Sequence, residues 1–564
     1  MPAFYAPAPS RRARFTAMAL AACVTLLHVA GAFAAELTRG DRLAILYSPQ
    51  LRFTPAQEPL IRVGLMEGEA SVRVSADTPV EIDPMGDGGV SVVVPAATEL
   101  TVSIESAEPG GYTHGVIVAE LLPSQRSEAQ AALTAWASRG FAAEVLQVGA
   151  VFAVSGQRFD TRRLLVVVGR TDDQARAAAL RDRIEEAFGV AASLHSELTE
   201  YPGGRFVVAG LPGGVVVRSD DLVWLRGSPA TVFTVRDVVF DRGTRTEGRE
   251  SRRYVGSLIF AADRNGRISL INELPLERLV EGILPSEMYP SAPSESLRAQ
   301  AVAARSEVLG SLGVRYLADP YMTCADQRCQ VYKGIGAEVA STTAAARATR
   351  GQVLSDGDVL IRASFSANNG GFAGGNDTTW GDAPLRYLQP RYDAGSPDDR
   401  YDAGLRDEAA VRAFLEDPGE VLSNVRNFGN PQAFRWSVEL SVAQLTEAVS
   451  KRLNVGEVRE LEPLDRDGSG RVTRLRVVGA RGEAVVEREL NIRRTLGGLR
   501  SALFVIDPRR DAGGRLQGVV IRGGGFGHGV GMCQTGAVGA AQRGWSFERI
   551  LSNYYPGTSL RKLY

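Results

Sequence analysis

One carboxylate in this chain stands in a setting suited to acid/base chemistry. Glu287 sits in LPSEMYPSAP, where Pro285, Pro290 and Pro293 restrict the backbone on both sides and reduce the entropy lost in fixing its side chain. Leu284, Met288 and Tyr289 surround it with apolar groups, which disfavour the charged form and would keep the carboxyl protonated toward neutral pH, as a general acid requires. The plainer alternative is a helix-loop-helix with one exposed glutamate. Sulfur gives the second chemical signal. Cys324 and Cys329 are separated by four residues, a spacing that suits a small disulfide loop or part of a thiolate metal site. Two cysteines cannot complete a tetrahedral site, and neither His528 nor Cys533 has a spacing that marks it as a missing ligand. His528 is the only histidine after position 195, which leaves no multi-histidine metal centre and little basis for a Ser-His-Asp hydrolase. It lies in GGGFGHGVG, which has neither the Lys-Ser/Thr of a phosphate loop nor the G-x-G-x-x-G spacing of a dinucleotide site. The glycines instead permit positive φ angles and close approach of a ligand or another backbone, and His528 either contacts substrate or hydrogen-bonds within the turn. DRDGSGRVTRLR, residues 465–476, opens like a calcium loop but ends in Arg476 where a bidentate glutamate is required, so it reads as a hairpin turn.

The elements that must hold Glu287 are legible in apolar spacing. Leu276, Leu279, Val280 and Ile283 recur at helical intervals after Pro275, and Leu297, Ala301, Ala304, Val308 and Leu312 form a second stripe after Ser294. This predicts two amphipathic helices with Glu287 on the loop between them, and Glu281, Glu295 and Glu307 as solvated helix-face charges. Upstream, residues 35–109 alternate apolar and polar positions between Gly and Pro, which predicts a small β-rich module. Residues 110–212 run strand, helix, strand twice, with helices predicted over 127–138 and 172–188, a ferredoxin-like α/β pattern. Residues 213–268 return to β-like segments leading into a mixed region at 269–564. The fold class is therefore multidomain α+β, and a length of 564 residues, at about 150 per domain, fits three or four domains.

Composition narrows the setting. With 44% hydrophobic and 23% charged residues and a net charge of -1, the chain is globular rather than disordered or integral to a membrane. No basic excess exists to neutralise phosphates, so nucleic acid is not an expected partner. Residues 1–34 differ: Arg11, Arg12 and Arg14 precede an apolar run from Phe15 to Phe33, and Ala32-Phe33-Ala34 offers a cleavage site, the pattern of a secretory signal peptide. Leu20-Ala21-Ala22-Cys23 is a lipoprotein-like alternative and Ser10-Arg11-Arg12 a twin-arginine one. No later segment reaches the ~18 apolar residues that span a bilayer. The expected location is outside the cytoplasm, in the periplasm or cell envelope, where disulfides are allowed.

The string LPLERLVEGILPSEMYPSAPSESLRAQAVAARS, residues 274–306, resembles the signature of the SpoIID/LytB family, the sporulation stage II protein D and amidase-enhancer proteins. CADQRCQVY (324–332), SFSANNGGF (364–372), WGDAPLRYL (380–388), LRSALF (499–504) and GGGFGHGVGMCQTGAVGAAQRGWSFERILSNYYPGTSL (523–560) follow in the family's order, so the resemblance covers roughly residues 255–564. It implies a SpoIID-type α+β domain with peptidoglycan lytic transglycosylase activity, Glu287 matching the family's catalytic glutamate. Ordinary glycoside hydrolysis needs two carboxylates, but here the nucleophile is a hydroxyl of the substrate itself, and proximity replaces the second group. Such an acid protonates the oxygen between N-acetylmuramic acid and N-acetylglucosamine. As a base it then takes the proton of the muramic C6 hydroxyl, which attacks C1 and leaves a 1,6-anhydro end. The resemblance also implies that Arg305 supports the active site, paired with a carboxylate of the protein or with substrate, and that Tyr387 contacts substrate; His528 and Ser366 are further candidate substrate-binding residues. No cofactor is required, and a structural zinc at Cys324 and Cys329 stands beside the disulfide alternative. Two positions depart from the family pattern: Gln389 stands where a lysine is often found, and the ANNGG segment lacks the cysteine of some relatives. The module at 110–212 looks like a SPOR domain, which binds glycan strands stripped of peptides. The expected partners are glycan strands and a cell-wall amidase, and a non-catalytic, glycan-binding activator of that amidase is the second reading.

Overall fold

The computed structural model describes residues 39–564 apart from 84–90, 242–245, 397–398 and positions 189, 191, 382 and 427. The leader pattern and Cys23 lie outside the described residues. The architecture is mixed α+β and multidomain, as the sequence pattern predicts, with one difference in how its parts are joined.

Strands β1 (Pro59–Glu69) and β2 (Leu100–Glu108) come first. The α/β module follows as β3 (Gly111–Leu121), α1 (Arg126–Ser138), β4 (Ala143–Val148), β5 (Arg163–Thr171), α2 (Gln174–Phe188) and β6 (Ser193–Glu200). Its sheet runs β6-β3-β5-β4 with every neighbouring pair antiparallel, the ferredoxin-like order. Both helices pack on one face, where Val116, Trp136, Val166 and Ile184 share a core. Leu165 and Val167 alternate to the other face and are buried as well. That second face is covered by the C-terminal half: Arg362 pairs with Glu120 at 2.9 Å, and Thr161 donates to the Leu312 carbonyl at 2.9 Å. A cleft of about 660 Å³ persists between them, lined by Gln174, His195, Ser196, Arg315, Arg362 and Trp380 among others.

After the module, β7 (Gly203–Ala209) pairs with β2 through Gly203↔Glu108, and β8 (Ile268–Pro275) pairs with β1 through Leu274↔Ile61. Residues 35–109 and 213–268 are therefore not separate modules, contrary to the division read from the sequence. They interleave in one six-stranded and one eight-stranded sheet, and the α/β module is an insertion between β2 and β7. The cause is burial: Ile61, Val102, Phe206, Phe233 and Phe260 fill one apolar core, which neither stretch closes alone. Hydrophobic periodicity marks a strand but not its partner.

Strand β8 runs directly into α3 (Leu276–Glu287), and α4 (Ser294–Gly310) follows after a short turn. Leu276, Leu279, Val280 and Ile283 on α3, and Leu297, Ala301, Ala304 and Val308 on α4, join the same core. The predicted boundary of the first helix shifts, because α3 extends through Pro285 and ends on Glu287 instead of stopping before it. The chain leaves the helix at Met288, which is extended, and Pro290 then disfavours helical geometry at Tyr289, so the helix does not resume. Further on, the DRDGSG segment is a hairpin between antiparallel strands Val458–Arg466 and Val472–Gly479, as expected. Asp467 Oδ1 accepts from the Ser469 and Arg471 amides at 2.9 and 3.0 Å and so closes the turn. Among the described residues, no helix is long and apolar enough to cross a membrane.

Candidate active site

Three helices and one loop converge on Glu287. Its side chain is half-buried at the C-terminal end of α3, where the helix dipole opposes negative charge. Oε1 accepts from the Val331 amide at 3.1 Å. Burial raises the carboxyl's pKa above the usual range, and the Val331 N–H opposes only part of that rise. The Glu287 carbonyl accepts from Gln534 Nε2 at 2.8 Å. Gln534 is the first residue of α5 (Gln534–Gln542) and also reaches Gln300 Oε1 on α4 at 3.4 Å. The glutamate is thus held through its main chain by α5 and through its carboxyl by the loop after Cys329.

No ion pair reaches Glu287 among the described residues, which sets it apart from its neighbours. Glu277 is bound by Arg305 at 2.7 Å, Glu281 by Arg347 at 2.7 Å and by Arg278, and Glu295 by Arg298 at 2.7 Å. Burial pushes the Glu277 pKa up, but Arg305, Tyr564 and the Gly351 amide outweigh it and hold the net value below normal. Glu281 is buried and Glu295 accepts from the Phe547 amide at 2.8 Å, so neither is the solvated helix-face charge expected. Glu307, expected likewise, is half-buried and bonded to Ser311 at 3.4 Å.

The other predicted site residues divide. Arg305 is fully buried, with Nε and Nη2 forked onto Glu277 at 2.9 and 2.7 Å and Nη1 donating to the Gln352 carbonyl at 2.9 Å. Of the two partners expected for it, a carboxylate of the protein or substrate, it takes the first, and the guanidinium has no face left for a ligand. Tyr387 is likewise buried in the core with Leu388 and Tyr555, and its phenol pKa is pushed up to about 12 by that burial. His528 takes the second of its two sequence readings: Nδ1 accepts from the Val530 amide at 3.0 Å, and the ring packs on Trp380 with centroids 5.1 Å apart. Burial and the nearby Arg471 lower its pKa to about 4, so the imidazole is neutral. Ser366 is buried, and its hydroxyl accepts from the Gly529 amide at 3.2 Å. Gln389 donates to the Leu385 carbonyl at 2.9 Å and so serves a turn.

Cys324 and Cys329 are joined as a disulfide with Cα atoms 5.6 Å apart, the first of the two arrangements their spacing suits. Among the described residues, no group of three His, Cys, Asp or Glu side chains gathers as a metal site. The bridge closes the loop that presents Val331, and the Tyr332 amide returns to the Ala325 carbonyl at 3.0 Å.

Four contributors escape sequence reading. Val331 acts through its backbone, so its side-chain type carries no signal. Gln300 and Gln534 lie inside the family-like strings but are ordinary surface residue types. Arg471 is fully buried and donates to the Phe372 and Asn369 carbonyls, both at 2.9 Å. A Cβ at Gly529 would come within 1.9 Å of its guanidinium, and φ there is +75°, which explains the glycine.

Fold and site together define a mixed α+β protein with one half-buried glutamate that has no cationic partner among the described residues. Comparison with known families finds that residues 264–355, which include Glu287, Arg305 and the disulfide, match the Stage II sporulation protein (SpoIID) family. Residues 375–531 match a domain of unknown function (DUF8618). An uncharacterized protein of Brachyspira hyodysenteriae is 27% identical over 54% of this chain and 72% of its own length. The amidase enhancer of Bacillus subtilis is 25% identical over 50% of this chain but only 40% of its own length. The stage II sporulation protein D of Bacillus amyloliquefaciens is 26% identical over 51% of this chain and 75% of its own length.

Proposed function

We propose that the protein is an exported peptidoglycan lytic transglycosylase acting on glycan strands in the cell envelope, with Glu287 as its acid and then its base. The observation that carries this reading is the state of Glu287: a half-buried carboxyl with a raised pKa, at a helix C-terminus, bound by one amide and, among the described residues, by no cation. Such a group holds its proton until a leaving oxygen needs it. Once ionised, it is a base stronger than an exposed glutamate and suited to take the C6 hydroxyl proton. The ring closure needs no activated water, so the engagement of Glu277, Glu281 and Glu295 with arginines is consistent with single-carboxyl chemistry.

The second reading, a glycan-binding activator of a cell-wall amidase, is favoured by the name of the Bacillus subtilis relative, an amidase enhancer, and by the burial of Arg305 and Tyr387. Under either reading, the SPOR-like module would meet glycan along the cleft beside His195 and Ser196, since its other sheet surface is covered. The deciding experiment is mass spectrometry of glycan strands, with and without stem peptides, treated with wild-type protein and with Glu287→Gln. Anhydro-ended products from the wild type alone support the enzyme. Strands bound and left intact by both proteins support the activator.

A further inference from the structure

Two residues beyond Glu287, Tyr289 leaves 58% of its surface exposed, more than any other aromatic side chain among the described residues. A single exposed apolar group is ordinary on a protein surface, so exposure alone decides nothing. The mounting of this ring is not ordinary. Its backbone is fixed on both sides: the Met288 amide before it donates to the Leu284 carbonyl at 3.0 Å, the Tyr289 carbonyl accepts from the Ala292 amide at 2.9 Å, and the Pro290 carbonyl accepts from Ser341 Oγ at 2.7 Å. Phe428 meets the ring edge-on, with centroids 5.6 Å apart and an interplanar angle of 89°. Gly429 sits behind it, where an added Cβ would lie 3.5 Å from Cε2. Met288, between the two residues, is extended and buried, while Glu287 and Tyr289 stay open to solvent. Their Cα atoms are at most about 7 Å apart, the reach of two residues.

We infer that Tyr289, backed by Phe428, is a saccharide-stacking platform that seats one pyranose of the glycan strand beside the Glu287 carboxyl. This rests on the glycan-substrate reading above. The chemistry fits: a β-linked sugar of gluco configuration carries its polar substituents equatorially, so its faces present C–H groups that pack on the electron-rich face of an aromatic ring. A ring preorganised by its turn and by Phe428 loses little freedom on binding. Because Tyr289 belongs to the SpoIID domain and Phe428 to the DUF8618 region, the platform is built from both.

The test measures dissociation constants of purified, peptide-free glycan oligosaccharides for the full chain carrying Glu287→Gln, alone and combined with Tyr289→Ala, Tyr289→Phe or Phe428→Ala. The same Tyr289 and Phe428 changes in the Glu287 protein are followed by steady-state kinetics. Tyr289→Ala should weaken binding about five- to thirtyfold and raise KM with little change in kcat, with Phe428→Ala in the same direction and Tyr289→Phe within about twofold of the parent. Equal affinity of the parent and Tyr289→Ala proteins would overturn the platform while leaving the role of Glu287 intact. Glycan bound through Tyr289 but never cleaved would uphold the platform and remove the enzyme reading. Absence of both binding and cleavage would remove both.

Discussion

At the scale of single residues, five glutamates on α3 and α4 share a residue type and differ in what touches them. Glu277 and Glu281 are buried against arginines, Glu295 and Glu307 cap or brace neighbouring segments, and only Glu287 combines burial with a helix C-terminus and a raised pKa. Under the transglycosylase reading, Glu287→Gln should lower turnover by about 10²- to 10⁴-fold, the usual contribution of a general acid/base. The same change gives a stability signature of defined sign. Because the folded-state pKa of Glu287 is raised, its contribution to stability is full below the ordinary glutamate pKa and is lost as pH rises through the folded value. Glutamine cannot ionise, so the Tm of Glu287→Gln should equal or exceed that of the wild type at neutral pH, and the difference should vanish in acid. Arg305 is the opposite case. Arg305→Ala leaves the Glu277 carboxylate buried and unpaired and should cost about 3–5 kcal/mol by denaturant unfolding. A full loss of glycan affinity in a folded, equally stable Arg305→Ala protein would restore it as a ligand residue.

At the scale of elements, the helices bearing Glu287 were legible because their apolar stripes repeat at the helical period, and the ferredoxin-like module because strands and helices alternate with turn signals between them. The end of α3 was legible only to within two residues, since a proline in a last turn is compatible with either a stop or one more turn. What the chain did not advertise is the loop that touches the carboxyl. Val331 contributes an amide, which any residue but proline has, and it is aimed by the Cys324–Cys329 bridge and the Tyr332-to-Ala325 hydrogen bond. The disulfide is therefore a positioning device for the site. Replacing both cysteines with serine should cost about 2 kcal/mol for a loop this short. It should also lower activity more than stability, with the pH profile displaced as the Val331 contact loosens. Thiol labelling of the denatured chain separates the bridge from the metal alternative. Two additional thiols should appear on reduction, whereas a chelator without reductant should expose none.

At the scale of the whole molecule, the resemblance that begins near residue 255 gives the impression of a C-terminal catalytic unit with separate modules in front, and the strand pairing removes that impression. Strand β8, which leads straight into α3, is hydrogen-bonded to β1, some two hundred residues earlier in the chain, and the segment Thr323–Cys324 adds to the other side of β1 in parallel through Val63↔Thr323. The disulfide loop is thus anchored on a strand from the N-terminal region. Pairing between strands so far apart in sequence leaves no local signature, which is why composition and periodicity found the start of the inserted module near 109 but placed a boundary at 268 where the core has none. The consequence is testable by dissection. A fragment of residues 269–564 lacks β1, β2 and β7, leaves β8 and the Cys324 segment without their strand partner, and exposes Leu276, Leu279, Val280 and Ile283. Apolar surface and unpaired edges of that extent should give an aggregating or loosely packed chain, read by the absence of a cooperative thermal transition and by rapid proteolysis. Co-expression with residues 39–268 should restore a cooperative transition, because the two pieces share one core. A fragment 269–564 that folds cooperatively by itself would show that the interleaved sheets support the site without being needed to form it.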